Sequence, residues 1–234
     1  MRNALWWNLA IGALLLTAVA GCRGCQEPAE PESSAVGPEQ PTPRPTNQGG
    51  EEAGQPEPEP LTVPEVRLLE QDRKTCLVYV GDQLPAVQLP DISGKTQSLA
   101  DLYGEKLTVV LFWTVDQSQW AQAKAIAALG DLENEVALPF GQKGVQAVAI
   151  NVGNPADLVA QCLKDAQATF PALLDEDRAY FAQIATGKLP RIYLLDAEGT
   201  ILWLDIEFSS TTRRQLLQGI QAALAEATGQ TRRR

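Results

Sequence analysis

Residues 107–120 read Leu-Thr-Val-Val-Leu-Phe-Trp-Thr-Val-Asp-Gln-Ser-Gln-Trp, and they join an apolar run to a stretch with helical spacing. The run Leu107–Trp113 is almost entirely apolar, which is typical of a strand buried on both faces of a sheet. Helical spacing follows from Asp116 to Leu132, with Trp120, Ala123, Ala127 and either Leu129 or Gly130 on one face. A buried strand that leads into a helix indicates an α/β protein.

The same alternation of patterns continues toward the C-terminus. Val145–Val152 predicts a second buried strand, and Asp157–Ala166 predicts a helix with an apolar stripe. Two further strands are predicted at Arg191–Asp196 and Ile201–Leu204, joined by a turn, and Thr211–Ala227 predicts a final amphipathic helix. This order favours a mixed central sheet flanked by helices.

Short strand patterns also precede residue 107. Leu77–Val80 and Ala86–Leu89 each have the composition of a strand, and Asp91–Lys95 has that of a turn. We therefore expect the globular part of the chain to begin near residue 65 and to end near residue 228.

Several landmarks resemble those of the redoxins. They are Gly81–Lys95, Leu111–Thr114, Phe170–Asp175 and Leu189–Gly199, and they occur in the family's order. The resemblance is closest to the membrane-anchored thiol–disulfide oxidoreductases of the TlpA/ResA type. It implies an α/β, thioredoxin-like fold for a domain at residues 65–228.

The chain departs from that family at its active site. Family members carry Trp-Cys-x-x-Cys shortly after the Phe-Trp pair, whereas Gln117 and Trp120 stand at the two cysteine positions here. No cysteine occurs between residues 77 and 161. Disulfide exchange needs an attacking thiolate and a resolving thiol, so we expect no catalytic residue in this motif. The pair Asp116 and Gln119 predicts a capping box at the start of the helix.

The resemblance also implies a groove for peptides. Pro190 falls where family members have a cis-proline, beside backbone that pairs with extended substrates. We predict a binding groove formed by Trp113, Asp116, Leu189 and Pro190, in which Leu189 and Pro190 take up a peptide by strand addition without chemistry.

Cys76 and Cys162 are the remaining candidates for thiol chemistry in the domain. Cys162 lies on the apolar stripe of its helix, which favours a buried core residue. Cys76 precedes a strand pattern, where it could be exposed. In an oxidising compartment the two could form a structural disulfide.

Composition excludes several other functions. The chain has no histidine, which excludes Ser-His-Asp and Cys-His nucleophiles and any His-ligated zinc or haem. Its net charge of −10 argues against nucleic-acid binding, because phosphate recognition needs a basic face. Four cysteines at these spacings form neither a disulfide scaffold nor a zinc site. We expect no metal site and no cofactor.

The N-terminus has the pattern of an export signal. Residues 1–21 combine Arg2, an apolar run and small closing residues. Val19–Cys22 resembles the lipobox of bacterial lipoproteins, which implies that Cys22 is acylated and becomes the mature N-terminus. The alternative is an uncleaved membrane helix between Arg2 and Arg23.

A spacer is predicted at residues 22–64, between the anchor and the domain. Residues 23–64 hold ten of the sixteen prolines and eight glutamates, so we expect this segment to be disordered. Cys22 and Cys25 have the spacing of a redox motif, but they lie beside a cleavage site and outside any fold. Residues 229–234 form a short basic tail.

These patterns predict an exported lipoprotein of the bacterial cell envelope, held at the membrane by its lipid and facing the periplasm or the exterior. We expect it to bind an envelope protein or peptide without catalysis. The alternative is a thiol–disulfide oxidoreductase or peroxidase-like enzyme that uses Cys76, Cys162 or a partner's cysteines.

Overall fold

Strands and helices alternate along the computed structural model, which describes residues 61–116 and 118–231. The predicted signal peptide, Cys22, Cys25, most of the spacer, Gln117 and residues 232–234 lie outside the described residues. In chain order the elements are α1 (Glu70–Arg73), β1 (Gln88–Pro90), β2 (Thr96–Ser98), a 3₁₀ turn (Leu99–Leu102), β3 (Leu107–Trp113), α2 (Gln119–Leu132), a π-helical turn (Glu133–Ala137), α3 (Leu138–Phe140), a 3₁₀ turn (Gly141–Lys143), β4 (Val145–Val152), α4 (Ala156–Asp165), β5 (Ala172–Asp175), α5 (Phe181–Ile184), β6 (Arg191–Asp196), β7 (Ile201–Asp205) and α6 (Ser210–Thr231).

A five-stranded mixed sheet has the strand order β5-β4-β3-β6-β7. Strands β3, β4 and β5 are parallel, whereas β6 is antiparallel to β3 and to β7. Val110 of β3 lies between Val148 of β4 and Tyr193 of β6. Strands β1 and β2 form a separate two-stranded sheet. The predicted α/β class, with a mixed central sheet flanked by helices, is confirmed.

The sheet divides the core into two halves. All seven residues of β3 are buried, and their side chains alternate between the halves. Apolar residues of α2, α4 and α6 cover one face, where they pack on Val109 and Leu111. The other face is covered by α5 and by the segment before β3, against Val110 and Phe112. Burial on both faces explains why β3 and β4 have continuous apolar sequences.

The prediction of a strand at Leu77–Val80 is wrong. This segment turns, because the Asp82 carboxylate accepts from the Tyr79 N–H at 2.8 Å and the Asp82 N–H donates to the Tyr79 carbonyl. Leu77 and Val80 are exposed, and Val78 packs in the core. The strand predicted at Ala86–Leu89 is shifted to Gln88–Pro90.

Helix α2 exists, but its start and its buried face differ from the prediction. The N-cap residue is Ser118, two positions after Asp116, and its hydroxyl accepts from the Ala121 N–H at 3.2 Å. Of the predicted face, Trp120, Ala123 and Ala127 are exposed and only its last position, Leu129, is fully buried; Leu132 is fully buried as well. Alanines occur on every side of this helix, and spacing alone therefore does not identify the face that packs.

Candidate binding groove

A groove of about 430 Å³ opens at the carboxyl end of β3, between α2 and the loop that precedes β6. All four residues of the predicted groove line it: Trp113, Asp116, Leu189 and Pro190. The remaining lining residues are Thr114, Ala121, Lys124, Ala125, Ala128, Glu207, Phe208 and Ser209. The fold thus brings together residues that are far apart in sequence, and their role in binding stays a prediction.

Asn154 holds one wall of the groove in place. Its side chain accepts from the Val115 N–H at 2.8 Å and donates to the Val115 carbonyl at 3.0 Å. Asn151, at the end of β4, holds Asn154 in turn. The Asn151 side-chain amide donates to the Asn154 Oδ1 at 3.1 Å, and the Asn151 Oδ1 accepts from the Asn154 backbone N–H at 3.1 Å. This clamp fixes the connection between β3 and α2. No prediction from the sequence included Asn154, although an Asn just beyond a buried strand marks a candidate position.

Arg191 holds the opposite wall. It is fully buried at the start of β6, and its Nε donates to the Lys188 carbonyl at 3.0 Å. Its terminal nitrogens donate to the Thr75 hydroxyl and, at 3.3 Å, to the Cys76 Sγ. The adjoining Leu189–Pro190 peptide bond is cis, as the family resemblance implied. Within the described residues no carboxylate pairs with Arg191, and the sequence analysis missed this residue as well.

Tyr193 lies two residues after Arg191 on the same strand and is also fully buried. Its hydroxyl is buried and has no hydrogen-bond partner in the described part of the chain. Burial raises the pKa of this phenol to about 12, although the Arg191 guanidinium acts in the opposite direction. The phenol is therefore neutral at ordinary pH and supplies no base to the loop.

Of the two positions that correspond to the family's cysteines, the structure describes only the second, Trp120. Gln117 lies outside the described residues. Trp120 is 76% exposed on the first turn of α2 and is absent from the groove lining. A ring at this position could have filled the surroundings of that turn, but most of it is exposed to solvent.

The floor of the groove is apolar and carries one polar group. Trp113 is buried, and its indole Nε1 has no hydrogen-bond partner among the described residues. Leu189 and Phe208 add apolar surface, while Lys124 and Glu207 contribute charges. Such a surface suits an apolar side chain on an extended backbone, because pockets of this kind give specificity to strand addition.

Cys76 and Cys162 are free thiols, so the disulfide considered between them does not form. The two cysteines belong to opposite halves of the core. Cys162 is part of α4 and packs in the half that the α2, α4 and α6 helices cover, whereas Cys76 packs against the other half. Burial raises the pKa of the Cys162 thiol, and the charge of Asp165 adds to the effect. A protonated thiol in the core is a poor nucleophile. Cys76 is half-buried, and its Sγ donates to the Asp72 carbonyl at 3.6 Å.

A second cavity, of about 530 Å³, adjoins the groove and shares Thr114 and Leu189 with it. Arg178 and Lys188 line it, and we call it the cationic pocket. The sequence analysis did not identify this pocket, because its residues come from β4, the segment around α5 and the loop before β6.

Metal binding and membrane insertion can both be assessed for residues 61–116 and 118–231. No group of three or more His, Cys, Asp or Glu side chains there could hold a metal ion. None of the helices in these ranges is both long enough and apolar enough to cross a membrane.

Comparison with known proteins connects the fold to a family. The model of the AhpC/TSA family matches residues 80–204. The chain is 29% identical over 124 residues to the thiol-disulfide oxidoreductase ResA of Bacillus subtilis, covering 52% of this chain and 64% of that protein. It is 28% identical to ResA of Geobacillus thermodenitrificans, covering 53% of this chain and 67% of the relative. The match therefore spans just under two thirds of the Bacillus relative.

Solved structures agree on the fold. A protein from Bacteroides thetaiotaomicron, assigned as a protein disulfide isomerase, superposes with a TM-score of 0.56 at 22% identity, covering 67% of this chain and 97% of that one. A protein from Chlorobium tepidum, assigned as the thiol:disulfide interchange protein DsbE, gives 0.53 at 23%, covering 63% and 99%. The thioredoxin-like fold is confirmed. Because the family match covers more than half of the sequence, this chain belongs to the AhpC/TSA family of redoxins, as its landmarks indicated.

Proposed function

We propose that this protein is an exported, lipid-anchored redoxin that has lost the CxxC dithiol and binds an extended peptide or protein segment in the groove. The observation that carries the proposal is the lining of the groove. Trp113, Asp116, Leu189 and Pro190 share one cavity, in a chain whose sequence has no cysteine between residues 77 and 161. A binding surface without its thiols favours recognition over exchange.

The positions of the remaining thiols support this reading. Exchange within one domain needs two sulfurs that meet, with Cα atoms within about 7 Å. Cys76 and Cys162 pack in opposite halves of the core, and Cys162 is fully buried. Neither cysteine lines the groove. A dithiol cycle inside this domain would need a large rearrangement.

The anchor and the location rest on the sequence. The export signal at residues 1–21 and the lipobox at Val19–Cys22 favour lipidation of Cys22. The relatives named above as thiol-disulfide oxidoreductases share the domain, and oxidising compartments are where disulfide chemistry persists. We therefore propose that the domain faces the periplasm or the exterior, with residues 22–64 as a spacer.

Substitutions on α2 test the binding function. Ala121 lines the groove, whereas Ala123 is exposed on the outer side of the same helix. Ala121→Phe should block the groove, and Ala123→Phe adds the same ring where it blocks nothing. With an array of blocked, unstructured heptapeptides as probes, we expect Ala121→Phe to reduce peptide binding at least about tenfold. Equal binding by both variants, with folding confirmed by circular dichroism, would refute the groove.

One observation favours a second candidate, a redox enzyme that uses Cys76. The Arg191 guanidinium donates to the Cys76 Sγ at 3.3 Å, and this cysteine is half-buried. The candidate predicts that the wild-type protein reduces insulin or a hydroperoxide, with a partner's cysteine resolving the sulfur. Activity that Cys76→Ser abolishes and Cys162→Ser preserves would favour the enzyme. Absence of turnover in all three proteins would favour the binding protein.

A further inference from the structure

The cationic pocket has a charge pattern that the groove does not share. Its lining includes Arg178 and Lys188 and no carboxylate, in a chain with a net charge of −10. The groove, in contrast, is lined by one lysine and two acidic residues. Two cations collected at one cavity of an acidic protein indicate complementarity to a negative group.

Arg178 is held at this cavity by its backbone. Its φ of +63° is in the left-handed region, which is uncommon for a residue other than glycine, and its N–H donates to the Asp175 carbonyl at 3.1 Å. The guanidinium lies against Gly153, where an added Cβ would come within 2.5 Å of the Arg178 Nε. Gly153 has a φ of +85° and leaves space for that cation. Constrained backbone of this kind is found most often at functional sites.

The two cations differ in how far they are already neutralised. The Lys188 ammonium contacts the Asp72 carboxylate at 2.5 Å, and that carboxylate is mostly buried. Arg178 has no ion-pair partner within the described residues. A ligand carboxylate would therefore meet one uncompensated guanidinium, whose planar fork accepts a carboxylate in two parallel hydrogen bonds.

Given the proposed function, we propose that the cationic pocket binds an aspartate or glutamate side chain of the same extended partner segment that occupies the groove. The pocket and the groove meet at Thr114 and Leu189, so one strand can cross from one to the other. Side chains two positions apart on an extended strand lie on the same side, about 6.5 Å from each other. The partner class is an extended segment in which an acidic residue and an apolar residue are two positions apart.

An array of heptapeptides tests the inference. Each probe is acetylated and amidated, so that no terminal carboxylate is present. It has the form Ala-Ala-X-Ala-Z-Ala-Ala or the reverse order Ala-Ala-Z-Ala-X-Ala-Ala, with X as Glu, Asp, Gln or Lys and Z as Leu, Phe, Val or Ala. Binding is measured by calorimetry, and the Arg178 Nε–H resonance is followed by NMR. We expect the best Glu or Asp probe to bind about tenfold tighter than its Gln twin.

The test variant is Arg178→Gln. Its matched control is Arg67→Gln, which removes the same charge from an exposed arginine outside both cavities. Arg178→Gln should remove the preference for Glu over Gln, whereas Arg67→Gln should retain it. If Glu and Gln probes bind equally and Ala121→Phe abolishes both, the groove stands and the cationic pocket is overturned. If no probe binds in a manner sensitive to Ala121→Phe, the proposed function and this inference both fail.

Discussion

At the scale of single residues, Arg191 contributes most to the loop beside the groove. Its guanidinium supplies hydrogen bonds to the Lys188 carbonyl, to Thr75 and to Cys76, and all of it is buried. A buried cation is tolerated only where such partners compensate its desolvation.

Replacing Arg191 should therefore be costly. Arg191→Met leaves the Lys188 carbonyl and the Thr75 hydroxyl without their donor, and we expect the free energy of unfolding to fall by about 3 kcal/mol. Urea denaturation followed by circular dichroism measures this change. Arg67→Met, at an exposed arginine, is the matched control and should change stability by less than about 0.5 kcal/mol. Similar values for both variants would mean that Arg191 does not hold the loop.

Cys162 predicts a pH dependence of stability at the same scale. Burial raises its thiol pKa above the ordinary 9.0. Above that pH the unfolded chain loses the proton while the folded chain keeps it, so stability is lost as pH rises. Between about pH 8 and about pH 9.5, the wild-type free energy of unfolding should fall more steeply than that of Cys162→Ala. Parallel pH profiles for the two proteins would contradict the burial of this thiol.

At the scale of elements, a prediction succeeded where the apolarity of the residues alone determines the structure. Leu107–Trp113 could be predicted because burial on both faces requires apolar residues at every position. The packing face of α2 could not, because its alanines fit either side. The bonding partners of the two clamp residues could not be predicted either, since Asn154 bonds to a residue 39 positions away and Arg191 to one 116 away. Only the fold brings such pairs together.

The π-helical turn after α2 offers a test with an internal control. Glu133 is 3% exposed, and its carboxylate accepts from the Thr169 N–H at 2.7 Å and from the Thr169 hydroxyl at 2.8 Å. It joins the end of α2 to the segment before β5. Glu133→Ala should lower the free energy of unfolding by about 2 kcal/mol, because two hydrogen bonds to a buried carboxylate are lost while the exposed Thr169 can turn to water. Glu135 lies in the same turn, half-buried and 3.5 Å from Arg213, and Glu135→Ala should cost less than about 1 kcal/mol in the same urea titration.

Cysteines introduced at the start of α2 test whether Gln117 and Trp120 correspond to the family's dithiol positions. Unpaired N–H groups at a helix start stabilise a thiolate, so Gln117→Cys with Trp120→Cys should create a dithiol. Because Trp120 is 76% exposed, its replacement should cost little stability. We expect an internal disulfide under mild oxidation and insulin reduction above the wild-type background. A folded double variant that keeps two unpaired thiols would show that these positions do not correspond to the family's cysteines.

At the scale of the whole molecule, the proposed lipid anchor at the N-terminus would determine where the groove operates. A spacer of the proposed length, residues 22–64, would reach roughly 130 Å when extended at about 3.1 Å per residue. The groove would then sample partners well away from the bilayer, and a single anchored copy would meet them at a high effective concentration.

Serine substitutions at two nearby cysteines test the proposed lipid anchor. Cys22 closes the lipobox, and Cys25 follows three residues later. In cells fed a labelled fatty acid, the wild type and Cys25→Ser should both incorporate label and sediment with membranes. Cys22→Ser should incorporate none and accumulate as an uncleaved precursor, because the acylated sulfur is gone. One acyl chain binds membranes only marginally, so stable sedimentation also requires the multiple chains of a lipoprotein anchor. Equal labelling of Cys22→Ser and the wild type would refute lipidation at Cys22, and would favour an uncleaved membrane helix between Arg2 and Arg23.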